Sequence, residues 1–92
     1  MIREVRSTDY IKIGKITHYF DKIGVAVLVV SDGAIKVGDR IRIGEFENGI
    51  EQNVDSMQVE HQQVGEAKVG DEVGLKVITA VKSGEIVYKI SE

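Results

Sequence analysis

The 92-residue chain contains no cysteine, no proline, only two leucines and only five aromatic side chains. Without cysteine there can be no disulfide, no thiolate nucleophile and no cysteine-based metal or cluster site. Leu and Ala number 2 and 4, against 14 Val and 12 Ile. β-Branched side chains lose rotamer freedom in a helix and pack well on a pleated sheet, so this bias excludes a helical bundle. No long hydrophobic run exists either. The longest, Val25 to Val30, has six residues, where a membrane span needs about 20. The start Met1-Ile2-Arg3-Glu4-Val5-Arg6 lacks the apolar stretch of a secretory signal, which makes the cytoplasm the expected address and leaves no role for a membrane.

What the chain does have is glycine, ten residues of it, suited to tight turns between short strands. Lys36-Val37-Gly38-Asp39 recurs as Lys68-Val69-Gly70-Asp71, and Lys82-Ser83-Gly84-Glu85 is a looser third copy. Each precedes alternating apolar residues, which predicts a positive-φ glycine turn launching a half-buried strand. The expected strands are 10–21, with a phase switch at Gly14, then 24–30, 39–43, 51–60, 72–79 and 85–90. The segment 24–30 is apolar on both phases and therefore central. Residues 31–33 and 44–49 are turns, and 61–69 is a connection anchored by Val64 and Ala67. The result is an all-β domain of about six or seven short antiparallel strands, residues 10–90, behind a short N-terminal extension, 1–9.

Enzyme signatures fail one by one. Gly33/Gly38, Gly44/Gly49 and Gly65/Gly70 have the P-loop spacing, but Asp39, Ile50 and Asp71 stand where a phosphate-binding Lys is required. These are turn glycines, and neither GTP nor ATP is expected to bind. No nucleophile elbow occurs, and Ser56 near His61 is chance proximity. His18 and His61 lack a ligand spacing, so no metal and no cofactor are expected. Glu45, Glu47 and Glu51 are solvating charge around a turn.

Binding features remain. The net charge is −3, yet residues 1–43 carry 8 Lys/Arg against 5 Asp/Glu, and residues 44–92 carry 4 against 10. One basic face on an acidic protein is thus possible. Lys15, His18, Tyr19 and Lys22 set cations beside an aromatic, a combination that can stack a base and neutralise a backbone. The competing reading turns Ile16 and Phe20 to the core, with Tyr19 covering an edge. Gln58 and His61 add an amide and an imidazole on a second segment, whose Met57 and Val59 are expected to face inward.

Several motifs also agree in order: Ile13-Gly14-Lys15-Ile16, Gly24 to Val29, Ile35-Lys36-Val37-Gly38-Asp39-Arg40-Ile41, Val54 to Val59, Ala67 to Leu75, and Lys82 to Glu85. Across residues 10–90 this resembles the second domain of translational GTPases such as elongation factor Tu. The resemblance implies a Greek-key β-barrel that touches transfer RNA or small-subunit ribosomal RNA. The candidate surface remains the one the residues themselves suggest, Lys15, His18, Tyr19, Lys22, Gln58 and His61, and the resemblance would make it the RNA contact of a non-catalytic, elongation factor-like protein of translation. The connection from Val59 to Ala67 looks like that of the selenocysteine-specific factor. Gln58, Val59, Glu60 and His61 replace the acid, Met, aromatic and Arg of the aminoacyl pocket, which speaks against aminoacyl-tRNA delivery. A similar barrel is appended to collagenase-like peptidases, some of which act in RNA modification. The alternative is therefore a protein-docking module for a translation factor or for such a peptidase.

Overall fold

The computed structural model describes residues 9–44 and 49–91. Ten strands run in the order β1 Asp9–Phe20, β2 Val25–Val30, β3 Ala34–Lys36, β4 Arg40–Ile43, β5 Ile50–Asn53, β6 Met57–Val59, β7 Gln62–Val64, β8 Glu66–Lys68, β9 Glu72–Lys76 and β10 Ile86–Ser91. Eight form one curled antiparallel sheet, ordered β5-β4-β10-β1-β2-β9-β6-β7, while β3 and β8 pair as a separate ribbon. The all-β expectation holds, as a half-barrel. No helix among the described residues is long and apolar enough to cross a membrane.

The lysine–glycine–acid repeat explains the turns. Gly38, Gly70 and Gly84 have φ of 99°, 99° and 95°, as the repeat predicts. In each copy the acid closes the turn on the lysine: Lys36 N–H donates to Asp39 Oδ2 (2.9 Å), Lys68 N–H to Asp71 Oδ2 (3.0 Å) and Lys82 N–H to Glu85 Oε1 (3.0 Å). The longer Glu does the work of the Asp. Each turn also clamps one core residue by its backbone. The glycine N–H groups donate to the carbonyls of Val54, Val30 and Ile16, and those residues donate back to Asp39, Asp71 and Glu85. All three clamped residues are buried.

The core lies on the concave face. Ile13, Ile16, Ala26, Leu28, Val30, Ile41, Ile43, Met57, Val73, Leu75 and Val87 fill it, with Ile35 and Ala67 of the ribbon packed in. β2 is central as expected: Ala26, Leu28 and Val30 are buried and its other phase is half-buried.

Three expectations are corrected. The segment 51–60 is two strands, broken at 54–56 where Val54 enters its clamp. The connection 61–69 contains β7 and β8, and β3 was not anticipated. These runs of three residues are too short to display a period. Finally, β1 shifts register twice, between Lys12 and Gly14 and between Ile16 and His18. Each bulge inserts one residue and reverses the phase of the strand beyond it. The first bulge sits beside the expected switch at Gly14. A Cβ at Gly14 would fall on the Val29 carbonyl oxygen, so only glycine fits there. The expectations for Glu45 and Glu47, and residues 45–48 of the expected turn, lie outside the described residues.

Candidate functional site

Residue pairing places three rows on the convex face of β1, β2, β9 and β6. One is Lys15–Val29–Glu72, the next is His18–Val27–Gly74–Gln58, and the third is Phe20–Val25–Lys76. Between the rows runs an open groove of about 290 Å³, lined by Phe20, Ile23, Val25, Val27, Gln58, Glu60, His61, Glu72 and Gly74. The His18 ring packs on Phe20, with centroids 4.3 Å apart, and so backs the aromatic wall. Gly74 supplies no side chain where the row would otherwise carry one.

Gln58 and His61 both line the groove, whereas His18 shares their face but stands outside the lining, at the far end of its row from Gln58 with β2 and β9 between them. Lys15 lies on the same face in the neighbouring row. Lys22 sits in the turn joining β1 to β2. Tyr19 does not belong to the group. It pairs with Ala26 and packs against the core, on the opposite face from His18. Phe20, expected to point inward, is 46% exposed instead. The second bulge in β1 causes the exchange, because Thr17 is the extra residue and everything beyond it flips. The aromatic available to a ligand is Phe20. Met57 and Val59 do pack inward, as anticipated.

Sequence reasoning missed the groove's acidic rim. Glu60 and Glu72 line it, and neither has an ion-pair partner among the described residues. It also missed the strained corner. Glu60 and His61 form the two-residue turn between β6 and β7, with φ of 53° and 65°. Such a turn prefers Asn-Gly, and Glu-His gives no warning of it in the sequence. A second surface cluster lies on the far half of the sheet. There Arg42 donates to Glu51 Oε2 (3.0 Å) and stands 5.7 Å from the Tyr10 ring centroid, beside Tyr88. Its members satisfy one another. No group of three or more His, Asp or Glu positioned to hold a metal occurs among the described residues.

No protein-family model matches the chain. It is 36% identical over 83 residues to an uncharacterized protease of Methanocaldococcus jannaschii, a match covering 89% of this chain and 20% of that protein. It is 30% identical over 83 residues to a collagenase of Porphyromonas gingivalis, again covering 89% of this chain and 20% of the relative. The chain spans about a fifth of the length of the curated relatives it matches. The crystal structure of the C-terminal domain of a protein named as a U32 peptidase, from Geobacillus thermoleovorans, superposes with a TM-score of 0.78 at 17% identity. That superposition covers 85% of this chain and 98% of the domain. A second structure of that domain gives 0.76 at 18% identity, covering 84% and 89%. The fold is that of this domain.

The elongation factor Tu resemblance is overturned. The relatives are named as proteases and collagenases, not as translation factors or ribosome-binding proteins. The physical reason lies in the motifs that suggested it. Lys-Val-Gly-Asp is a turn that clamps a core strand, a structural role that does not depend on what the molecule binds. Those motifs report construction. The convex groove, where function would reside, shares no motif with the aminoacyl pocket.

Proposed function

We propose that the chain is a non-catalytic docking module of the kind found as one segment of collagenase-like peptidases. In this reading it engages a polypeptide through the convex face of β1, β2, β9 and β6. The observation that carries it is the sequence match, in which nearly the whole chain aligns with only a fifth of a protein named as a protease. The remaining four fifths of such a relative is where peptide-bond chemistry would reside. The groove adds support. Its walls are apolar and aromatic, and its polar groups sit at the rim, the anatomy of a recognition surface.

The test has two arms. The purified chain is incubated with fluorogenic gelatin and is expected to release no fragments. It is then mixed with the Methanocaldococcus jannaschii relative lacking its matching segment, and complex formation is followed by sedimentation velocity. A stable complex is the expected result. Gelatin hydrolysis by the chain alone, or two species that never associate, would overturn the proposal.

A further inference from the structure

Three properties of the convex groove together specify a ligand. Its floor and one wall are apolar, from Val25, Val27, Ile23 and Phe20, with Ile23 59% exposed. Its opposite rim carries the carboxylates of Glu60 and Glu72, without ion-pair partners among the described residues. No Lys or Arg lines it: Lys15 and Lys76 flank it in the outer rows, and the Lys76 Nζ donates to the Ile23 carbonyl (3.0 Å). We propose that this groove receives an extended polypeptide segment that places one large apolar side chain over Gly74 and a lysine or arginine against Glu60 and Glu72. This assignment rests on the docking reading above and names the chemistry of its partner.

Gly74 is what makes room. A Cβ built there meets Val25 Cγ1 at 3.4 Å and the Gln58 carbonyl at 3.9 Å, ordinary contact distances, and its φ is one that any residue adopts. The fold therefore tolerates a side chain at 74, and the space above it is free for a ligand. The rim decides the ligand's charge. A phosphate backbone would meet two carboxylates, whereas a cationic side chain finds complementary charge at the edge of an apolar slot. The strained turn is the third observation. Both of its residues, Glu60 and His61, hold left-handed backbone and both line the groove. Non-glycine residues held in left-handed backbone cluster at binding and catalytic sites.

The probe is the peptide acetyl-Lys-Val-Phe-Val-Lys-amide, titrated into the isotope-labelled chain and followed by the amide resonances of Val27, Gln58 and Gly74. Saturable shifts at these three positions are expected, and the matching peptide with Glu in place of Lys should produce none. Gly74→Val should abolish the shifts while the thermal transition stays cooperative. Glu60→Gln combined with Glu72→Gln should weaken binding about fivefold, the scale of two exposed ion pairs. Absence of shifts with the Lys peptide, equal binding of the Glu peptide, or the same shifts with an oligouridine would each overturn the assignment. Complex formation with the truncated relative separates the two readings. If that complex forms and Gly74→Val leaves it intact, the groove assignment falls while docking stands on another face. If no complex forms at all, docking itself falls.

Discussion

Gln52 is a buried polar side chain on β5, only 7% exposed, and its amide spans two parts of the sheet that no ladder joins. Its Nε2 donates to the Lys76 carbonyl (2.9 Å), and its Oε1 accepts from the Ile78 N–H (3.0 Å). The side chain thus stands in for the strand pairing that would link β5 to the end of β9. Leucine at this position keeps the volume but removes both hydrogen bonds, to the Lys76 carbonyl and from the Ile78 N–H. Gln52→Leu is expected to lower stability by about 1–3 kcal/mol, the net worth of two hydrogen bonds. A urea melt reads it, and a loss near zero would mean that water replaces the amide. Nothing in the sequence distinguishes Gln52 from Gln62 or Gln63, which are exposed on β7.

Among the elements, the β6–β7 hairpin is where stability and recognition pull apart. Val59 and Gln62 close a two-residue turn whose geometry suits Asn and Gly. Replacing Glu60 by Asn and His61 by Gly should raise stability by about 1 kcal/mol, the lower end of the cost of such backbone strain. The same change removes two groove-lining side chains. Chemical denaturation of the double variant is expected to show a higher midpoint with an unchanged slope. A lower midpoint would mean that Glu60 or His61 stabilises the fold through its side chain. The lysine–glycine–acid turns behave in the opposite way, since there the residues that suit the backbone are already in place.

For the molecule as a whole, the ladder order ranks the strands. β10 joins the β4–β5 half to β1, and β2 joins β1 to β9, so the centre of the sheet is β10-β1-β2-β9. β5 and β7 end the sheet, and the β3–β8 ribbon stands apart from it. Amide exchange should therefore be slowest for Ile16, Ala26, Leu28, Leu75 and Val87, and fastest for the exposed strand β7. Comparable protection in β7 would show that its outer edge is covered. β1 pairs with β10 across nearly the full chain, Asp9 opposite Ser91. Topologies dominated by such distant pairings fold slowly, on a scale of about milliseconds to seconds.

The all-β class, the central place of 24–30 and the positive-φ turns at Gly38 and Gly70 were legible without a structure. Each is a local property: β-branched composition, an apolar run on both phases, and a turn whose residue types its own backbone demands. The faces of β1 were not legible. Alternation carries phase only while the ladder is unbroken, and the bulge at Thr17 is set by the register of β2. That one residue sends Tyr19 to the core and Phe20 to solvent, and it removed Tyr19 from the expected RNA-binding set. The groove, likewise, takes its residues from β1, β2, β6, β9 and two turns, and only their pairing makes them neighbours. Local chemistry was enough to specify the strands, but which side chains meet on the outer face was decided by strand register, a property of pairs of distant segments that neither segment encodes alone.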